Sequence, residues 1–328
     1  MISVVIPCFN QGQYVREAVR SVLGQSLTDV ECLVVDDGST DNSASVIKQL
    51  GEEYGSERVR SLCHPGRRNL GVCASRNLGL LHATGEFVAF LDADDKWLPG
   101  KLQKQLEVMA VHPDVGFVFS RALSSNDLDS AAVNTQKGEH LIIPDSDNLS
   151  YDRPFSMMEL MLRGNLIPSP TPLVRSSLLR DKSFSVGKMS QKRRIQFEDW
   201  MMWLRLSAET LFFCISEPLA IYRLHSQQHT ASFSDRKRAA DMIYGGYEVV
   251  TNFLENGEQV LPGGSGQYSA IAKTALRDRI VRNANYFSLS DIIGILKPCI
   301  WSGALGVLLR RYWTYRSRQL RRFIVKSL

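Results

Sequence analysis

Short β-rich runs alternate with helical patterns over the first 120 residues of the chain. The β-rich runs cover residues 2–6, 32–36, 58–63, 86–92 and 115–120. The helical patterns cover residues 12–24, 41–54, 71–83 and 99–111. This alternation is typical of βαβ units, in which a crossover helix joins two parallel strands. The chain is therefore predicted to be an α/β protein with a mainly parallel sheet.

Residues 123–153 interrupt this alternation. They are poor in apolar residues and rich in Ser, Asn and Asp. Segments of this composition and length often serve as binding loops or lids, so we expect a long, mobile surface segment. A helical pattern near residues 155–163 and a strand-like pair, Leu173-Val174, follow it.

The C-terminal part of the chain has a different character. From Asp235 onward the pattern is helical and carries no strand signal. We therefore place a domain boundary near residue 230. It separates a domain over residues 1–230 from a helical region over residues 231–328.

The composition is that of an ordinary folded protein. With 44% hydrophobic and 22% charged residues, a chain of 328 residues can bury the core of one large domain or two modest ones. The net charge of +5 is small, and the basic residues are mostly dispersed until the C-terminus. Nucleic-acid binding as the main task is therefore not expected.

The cysteines and the N-terminus bear on the cellular compartment. The six cysteines have no C-x-x-C spacing, and several fall in predicted strands: Cys8, Cys32, Cys63, Cys73, Cys214 and Cys299. We interpret them as small buried hydrophobic residues in a reducing compartment. The N-terminal apolar run has only five residues and no basic flank, so neither a signal peptide nor a leading membrane helix is expected. A cytoplasmic protein is the resulting prediction.

Three carboxylates within four residues follow the fourth predicted strand. Asp92, Asp94 and Asp95 come directly after the apolar residues 87–91, where solvation is poor. Carboxylate oxygens suit Mg²⁺ or Mn²⁺, and Mg²⁺ is commonly held by one or two carboxylates together with substrate phosphates. A metal that bridges to a phosphorylated substrate is one interpretation. The other is a solvated turn with an Asp cap on the helix that starts near Pro99.

A second acidic pair, Asp36 and Asp37, ends the second predicted strand. In open α/β sheets the ligand site lies beyond the carboxyl ends of the strands, so both acidic clusters are expected at one edge. The first strand delivers polar and aromatic residues, Pro7 to Asn10, to the same edge. A nucleotide with its phosphates could occupy such an edge.

Five short motifs lie in order along the chain. They are residues 2–10 (ISVVIPCFN), 34–41 (VVDDGSTD), 69–77 (NLGVCASRN), 90–95 (FLDADD) and 198–200 (EDW). Over roughly residues 1–230, their order and spacing resemble the motifs of family 2 glycosyltransferases of the bacterial cell-surface polysaccharide type. The resemblance implies a GT-A fold, with a Rossmann-like, mixed, mainly parallel sheet flanked by helices, to which the predicted helical C-terminal region is an extension. It also implies inverting transfer of a hexosyl group from a nucleotide-diphosphate-sugar, assisted by Mn²⁺ or Mg²⁺.

The resemblance implies donor-binding roles for several residues of the predicted edge: Pro7, Phe9, Asp36, Asp37, Asn69, Arg76 and Asp92. Pro7 and Phe9 match positions that border the nucleobase, and Asp37 matches the carboxylate that hydrogen-bonds it. Arg76 could pair with phosphate or with the acidic cluster. Plainer interpretations are Phe9 as a core residue, Asp37 as a turn former and Arg76 as a surface helix residue. By the same resemblance the donor is expected to be a UDP-sugar.

The resemblance also implies the metal ligands. Asp94 is implied as the direct ligand, with Asp92 nearer the ribose or sharing the metal, and Asp95 behind them. Residues 222–225 (YRLH) are similar to the family's Y-R-x-H element near the metal, which implicates His225 in metal or phosphate contact. A lone histidine can equally be structural.

An inverting transfer needs a base that is not a metal ligand, because the acceptor hydroxyl attacks the face opposite the leaving diphosphate. Glu198 and Asp199 occupy the family's acidic position. The resemblance implies Asp199 as the general base, with Glu198 as a neighbour that tunes it by like-charge repulsion. Alternatively, both acids complement the dipole of the helix that begins near Trp200. The two interpretations are compatible.

Two basic segments are not explained by the motifs of the catalytic domain. Residues 186–197 lack the Gly-Gly-Phe-Asp-like stretch of many relatives, and their basic residues either fold over the donor phosphates or keep a loop solvated. Residues 310–322 mix basic and aromatic residues without an acid, as interfacial segments on anionic lipid do. The alternative is a helix pair with a basic outer face. Residues 292–309 contain Lys297 and Pro298 and are not expected to span a membrane.

The acceptor is expected to be a glycan or a lipid-linked molecule, and the latter would suit peripheral contact with the inner face of the plasma membrane. A nucleotidyltransferase should carry a Gly-rich, basic loop after the first strand, which residues 7–12 (PCFNQG) do not provide. A catalytically silent carbohydrate- or nucleotide-binding protein is the other alternative. The presence of Asp37, Asp92, Asp94 and Asp199 together favours an enzyme.

Overall fold

The computed structural model describes residues 1–125, 141–144, 149–185, 197–225, 235–256, 265–283, 296–306 and 309. In this part of the chain the strands are β1 (Ile2–Cys8), β2 (Val30–Asp36), β3 (Val59–Cys63), β4 (Phe87–Phe90), β5 (Lys96–Trp97), β6 (Val115–Ser125), β7 (Leu141–Ile143), β8 (Pro154–Phe155), β9 (Leu173–Arg175) and β10 (Leu211–Arg223). The helices are α1 (Val15–Leu23), α2 (Ser43–Tyr54), α3 (Val72–His82), α4 (Lys101–Val111), α5 (Met158–Arg163), α6 (Glu198–Leu206), α7 (Asp235–Asn256), α8 (Ser265–Asn283) and α9 (Leu296–Trp301).

The described strands form one sheet with the order β3-β2-β1-β4-β9-β6-β10-β5, to which β7 adds beside β6 and β8 beside β10. The ladders between β1 and β2, β2 and β3, β1 and β4, and β6 and β10 are parallel. The short ladders made by β5, β7, β8 and β9 are antiparallel. The sheet is therefore mixed and mainly parallel, as predicted.

Strand β1 is the centre of the parallel half of the sheet. Its residues Val4, Val5 and Ile6 are fully buried, since helices and neighbouring strands cover both faces. Strands β2 and β4 pair with its two edges, so the direction of strand order reverses at β1. Open α/β sheets bind ligands at such a switch point, beyond the carboxyl ends of the strands.

Strand β10 is absent from the sequence prediction. Its apolar residues are interrupted by Ser216, Glu217 and Pro218, which hides the pattern of a buried strand. The structure accommodates the interruption by register shifts against β6 between Ile215 and Ala220.

The prediction of a mobile surface segment over residues 123–153 is wrong in part. Strand β6 continues to Ser125, and Leu123 within it is buried at 1% exposure. Residues 141–143 form β7, which pairs antiparallel with the end of β6. Backbone pairing therefore orders residues whose composition resembles a loop. Residues 126–140 and 145–148 lie outside the described part.

The chain divides into two compact units. The first comprises residues 1–157, 166–185 and 205–225 and contains the whole described sheet. The second comprises residues 158–165, 186–204 and 226–328. The domain boundary near residue 230 stays a prediction.

The second unit is helical in its described part. Helices α5 and α7 pack on α8, and α9 packs on both α7 and α8. Their apolar residues form a core: Ile243, Leu276, Ile280, Cys299 and Ala304. No helix in the described residues is long and apolar enough to cross a membrane.

The six cysteines all lie in the described part, and none is in a disulfide. Four are buried as predicted: Cys8, Cys32, Cys214 and Cys299. Cys63 is exposed and Cys73 is half-buried, so the prediction of burial is wrong for these two. Cys63 ends β3, which is an edge strand of the sheet.

Candidate active site

The loop after β1 is tied to the loop after β2. Asn10 has a left-handed backbone with a φ of 54°. Its Oδ1 accepts the N–H of Thr40 at 2.8 Å, and its own N–H donates to Ser39 Oγ at 3.0 Å. Asp41 Oδ2 accepts the N–H of Gly12 at 3.1 Å. These contacts hold the two loops together at the carboxyl edge of the sheet.

The acidic pair after β2 is almost fully buried, with Asp36 at 5% and Asp37 at 4% exposure. Asp36 Oδ1 accepts the N–H of Ser39 at 3.0 Å and so shapes its own turn. Asp37 reaches the next loop, where its two oxygens accept the N–H of Leu70 at 2.8 Å and of Gly71 at 2.9 Å. Asp37 therefore fixes the loop that leads into α3, which is more than the role of a turn former.

Gly38 allows the two loops to approach each other. Its φ is +74°, and a Cβ at this position would lie 2.7 Å from both the carbonyl oxygen of Arg67 and the backbone nitrogen of Asn69. Only glycine fits such a position without strain. Buried His64, which the sequence reasoning did not select, has its Nε2 3.4 Å from Asp37 Oδ1.

The residues implied to border the nucleobase reach solvent. Phe9 is 41% exposed, so its interpretation as a core residue is wrong. Asn69 is exposed in the loop before α3. Pro7 is partly exposed and pairs with Val35 in the ladder between β1 and β2. An exposed ring at this edge is available to stack on a base, and this contact stays a prediction.

Arg76 on α3 is buried, with 4% exposure, so its interpretation as an ordinary surface residue is wrong. Its Nη2 donates to Asp92 Oδ1 at 2.8 Å. Its guanidinium carbon lies 5.5 Å from the centroid of the Phe184 ring. Hydrogen bonds between two charged groups are stronger than neutral ones, so this pair orients the Asp92 carboxylate firmly.

Asp94 and His225 are also brought together. His225 Nε2 lies 2.9 Å from Asp94 Oδ2. Burial raises the pKa of Asp94 above its usual value, and the negative charge of Asp92 raises it further. Burial also raises the pKa of Asp95 well above its usual range, and the charges of Asp94 and Asp92 add to the effect. A cation at this turn would relieve the repulsion.

The side chains at this turn suit Mn²⁺ or Mg²⁺ in chemistry. They offer carboxylate oxygens from Asp92 and Asp94 and an imidazole nitrogen from His225. Among the described residues, no group of three His, Cys, Asp or Glu side chains is arranged as a complete metal site. The chemical fit therefore rests on the close pair of Asp94 and His225.

Arg223 belongs to the YRLH motif, but the resemblance singled out its neighbour His225. The structure places Arg223 Nε 2.7 Å from the carbonyl oxygen of Asp94, to which it donates. Its Nη2 donates to Glu17 Oε2 at 2.7 Å. No sequence signal could identify Glu17, because this contact joins residues that are 206 positions apart.

Glu198 and Asp199 begin helix α6 within the second unit. Asp199 Oδ1 accepts the N–H of Trp200 at 2.6 Å, and its Oδ2 accepts a hydrogen bond from Asn165 Nδ2 at 3.1 Å. Glu198 is buried at 6% exposure. Both acids stand in the first turn, where negative charge complements the helix dipole. Their catalytic role stays a prediction, and Asn165 was not foreseen.

Two segments named in the sequence analysis lie outside the described residues. They are the basic residues 186–196 and the basic and aromatic run 310–322.

The sequence profile named Glycosyl transferase family 2 matches residues 3–166, which is half of the 328 residues. The chain belongs to this family. A glycosyltransferase of Nostoc sp. described as uncharacterized is 38% identical over 167 residues, covering 46% of this chain and 51% of the relative. TuaG of Bacillus subtilis, provisionally named a teichuronic acid biosynthesis glycosyltransferase, is 41% identical over 109 residues, covering 33% of this chain and 42% of the relative. The chain thus spans about half of these two relatives or less.

Two solved structures share the architecture. The crystal structure of residues 1–349 of S. aureus TarS in complex with UDP-GlcNAc has a TM-score of 0.57 at 18% identity, covering 97% of this chain and 91% of that one. The mannosyltransferase PcManGT from Pyrobaculum calidifontis in complex with GDP-Man and Mn²⁺ has a TM-score of 0.56 at 17% identity, covering 96% and 82%. At this identity the likeness concerns the fold alone, and it confirms the predicted GT-A fold.

Proposed function

We propose that the protein transfers a sugar, with inversion, from a nucleotide-diphosphate-sugar to a hydroxyl of a glycan or lipid-linked acceptor. One observation carries the proposal: at the carboxyl edge of β1 and β4, Asp92 is held by Arg76 and Asp94 lies against His225. Family membership supports it, as do the neighbours that bind UDP-GlcNAc and GDP-Man. Membership of a glycosyltransferase family argues against the alternative that the protein is a nucleotidyltransferase.

The donor base is proposed to lie between the loops after β1 and β3. Phe9 would stack on the base beside Pro7, and exposed Asn69 would face the donor. Asp37 would hydrogen-bond the base while Asp36 keeps the turn in shape. Asp37 already accepts backbone N–H groups, but a carboxylate has about four lone-pair sites, so it can accept a further donor. A UDP-sugar remains our proposed donor.

Asp94, with Asp92 and His225, is proposed to hold a divalent cation. When bound, Mn²⁺ or Mg²⁺ stabilises the negative charge that develops on the leaving diphosphate. Arg76 keeps the Asp92 carboxylate oriented at the same edge.

Asp199 is proposed as the general base that accepts the proton of the acceptor hydroxyl. Two hydrogen bonds, from the Trp200 N–H and from Asn165, fix the orientation of its carboxylate. A positioned base typically contributes roughly 10²–10⁴-fold to the rate. Glu198 is its neighbour at the start of the helix.

A lipid-linked acceptor would place the protein at the inner face of the plasma membrane. The basic and aromatic residues 310–322 motivate this part of the proposal, because such segments bind anionic lipid surfaces.

The metal assignment is tested with Asp94→Asn, which keeps the shape of the side chain and removes its charge. In the parent protein, Mn²⁺ should tighten UDP binding by about tenfold or more, which is about 1.4 kcal/mol. In the variant this tightening should disappear because the cation loses its main carboxylate ligand. Isothermal titration of UDP with and without Mn²⁺ measures both affinities.

Asp114→Asn is the matched control, since Asp114 is an exposed aspartate outside the candidate site. It should retain the Mn²⁺ effect of the parent. Equal Mn²⁺-dependent binding by Asp94→Asn and the parent would refute the metal assignment. A thermal-shift panel of nucleotide sugars then identifies the donor, because a ligand that binds only the folded state stabilises it by RT ln(1 + [L]/Kd).

A further inference from the structure

Arg223, at the end of β10, contacts two consecutive acids of residues 92–95, the acidic turn. Its Nε donates to the carbonyl oxygen of Asp94 at 2.7 Å. Its backbone N–H donates to Asp95 Oδ1 at 2.9 Å. The first contact fixes the backbone of the proposed metal ligand, and the second fixes the residue behind it. The position of the Arg223 guanidinium therefore decides where the Asp94 backbone lies.

Glu17 of helix α1 holds that guanidinium in place. Its Oε2 accepts a hydrogen bond from Arg223 Nη2 at 2.7 Å, and its Oε1 accepts one from Lys96 Nζ at 2.8 Å. Burial alone would raise the pKa of Glu17, but the hydrogen bonds from Lys96 and Arg223 outweigh burial and lower it below the usual value. Glu17 is thus an anion whose two oxygens join β5, the strand directly after the turn, to Arg223 at the end of β10.

Tyr14, the residue directly before helix α1, contacts the second proposed ligand. The Tyr14 ring lies 5.0 Å from the His225 ring, centroid to centroid, and 4.4 Å from the guanidinium carbon of Arg223. Tyr14 and Glu17 are three residues apart near the start of the helix, a spacing that puts side chains on one helix face. One face of α1 therefore supports both the Asp94 backbone and the His225 ring.

The charge of Glu17 matters as well as its contacts. Arg223 and Lys96 are two cations close to a turn that is proposed to bind a third, doubly charged one. Glu17 neutralises part of this positive charge in a half-buried setting, where salt screens less than at the surface. Without its charge, the guanidinium would be less well fixed, and positive charge beside the turn would oppose the binding of a cation.

We propose that Glu17 is a positioning residue for metal binding, which it supports by holding Arg223 against the acidic turn. This proposal rests on the proposed roles of Asp94 and His225. Partners that orient metal ligands typically contribute 10- to 100-fold to metal affinity, so the loss of Glu17 should have an effect near the lower end of that range.

The test uses the full chain and the EPR signal of free Mn²⁺, titrated with protein in the presence of saturating UDP. Glu17→Gln should weaken Mn²⁺ binding about tenfold while UDP binding without metal stays unchanged. Glu53→Gln is the matched control. The Glu53 side chain is 38% exposed, against 35% for Glu17. Glu53 lies on α2 and pairs with Arg16 and Arg20 of α1, not with Arg223 or Lys96. It should bind Mn²⁺ like the parent.

A double-mutant cycle tests the route through Arg223. Arg223→Gln should weaken Mn²⁺ binding, and adding Glu17→Gln to it should cause no further loss beyond about twofold, since the two residues act as a unit. Additive losses would overturn this route. Mn²⁺ binding by Glu17→Gln equal to that of Glu53→Gln would overturn the proposal.

Two further variants distinguish failure of the proposed metal site from failure of the proposed role of Glu17. If Asp94→Asn binds Mn²⁺ like the parent in the same titration, the proposed metal site fails, whatever Glu17 does. If Glu17→Gln does not fold, Glu17→Asp replaces it, because it keeps the charge and shortens the reach to Arg223. Parent-like Mn²⁺ binding by Glu17→Asp would count against the positioning role.

Discussion

Four aspartates at the carboxyl edge of the sheet each have their own hydrogen-bond partners. Asp37 accepts backbone N–H groups of the loop before α3, and Asp92 faces a guanidinium. Asp94 faces an imidazole, and Asp95 accepts the backbone N–H of Arg223. A buried polar group that loses its partner carries a desolvation penalty of about 1–3 kcal/mol, and more when it is charged. These aspartates are therefore not interchangeable, and substitution of each one should change stability and ligand binding in a different way.

Asp199→Asn tests the proposed base at the residue scale. The amide keeps the size of the side chain but cannot accept the proton of the acceptor hydroxyl, so turnover should fall by roughly 10²-fold or more. The KM for the donor should change little, because the base acts in the transition state of transfer. Steady-state kinetics with the donor found in the nucleotide-sugar panel measure both constants.

Asp278→Asn, an exposed aspartate on α8 of the same unit, serves as the control for this change and should keep the turnover of the parent. Parent-like turnover in Asp199→Asn would remove Asp199 from the mechanism. Loss of donor affinity with unchanged turnover would assign it to binding instead.

The acidic residues of the candidate site could be located from sequence, whereas their supporting partners could not. Asp37, Asp92 and Asp94 follow buried strands, and parallel strands bring their carboxyl ends to one edge. Glu17 and Asn165 carry no such signal. Each acts through a contact whose existence depends on how a helix or loop docks, and docking is decided by packing between distant segments.

At the scale of elements, helix α4 begins with a fully buried lysine. Lys101 Nζ donates to Gln105 Oε1 at 2.8 Å and lies 4.0 Å from the centroid of the Trp97 ring. Neither of these partners is a carboxylate. Burial therefore lowers the pKa of Lys101 well below its usual value.

Lys101→Met should stabilise the protein. Replacing a buried ion pair by apolar side chains of similar volume is often neutral or stabilising by about 1–4 kcal/mol, and a buried lysine whose partners are Gln105 and Trp97 has no carboxylate to offset its desolvation. Because the folded-state pKa is lowered, the unfolded chain binds the Lys101 proton more readily than the folded protein does. The parent's stability should therefore rise with pH between the lowered pKa and the usual lysine value of about 10.4, and the advantage of the variant should shrink over that range. Urea unfolding at neutral pH and at about pH 9.5 measures this difference.

Lys104→Met is the control for the pH effect, because Lys104 lies on the same helix with 41% of its side chain exposed and pairs with Glu217. Its stability difference from the parent should not depend on pH in this way. A Lys101→Met variant that is less stable than the parent at neutral pH would show that the Trp97 and Gln105 contacts outweigh the cost of burial.

Elements with a strong local pattern could be predicted, while elements that exist through pairing could not. Strands β1 to β4 and helices α1 to α4 each follow from their own hydrophobic pattern. Strands β5 and β8 have two residues each, and both pair with β10. Two residues are too few to form a hydrophobic pattern, so β5 and β8 have no local signal of their own.

At the scale of the whole molecule, the basic and aromatic run over residues 310–322 predicts binding to anionic membranes. Each basic residue near such a surface contributes about 1 kcal/mol, and the Debye length limits the attraction to about 10 Å at 0.1 M salt. The full chain should therefore sediment with phosphatidylserine vesicles at low salt and dissociate at high salt. Arg310→Gln with Arg311→Gln should cost roughly 2 kcal/mol of this binding.

The control removes the same number of charges from exposed lysines of the first unit, Lys48→Gln with Lys104→Gln, and should sediment like the parent. Donor binding should be unchanged in both double variants. Equal sedimentation by all three proteins, or by none, would mean that residues 310–322 do not bind the membrane.

The α/β class and the GT-A fold could be predicted because they depend on the order of elements along the chain. The segments that make up each compact unit could not be predicted in this way, because each unit is assembled from segments that are separated along the chain. Residues 158–165 and 186–204 group with the C-terminal helices although they precede the predicted boundary near residue 230. Long-range packing rather than local pattern decides which segments belong to such a unit.

The ties among the loops after β1, β2 and β3 set a rule for engineering this protein toward a donor other than the proposed one. Asn10 bonds the second loop, Asp37 bonds the third, and Gly38 lets the second and third loops touch. Grafting one loop from a relative would leave the buried Asp37 carboxylate without its backbone N–H partners, or would place a side chain at Gly38, where none fits. The three loops should therefore be transplanted together, as one cassette.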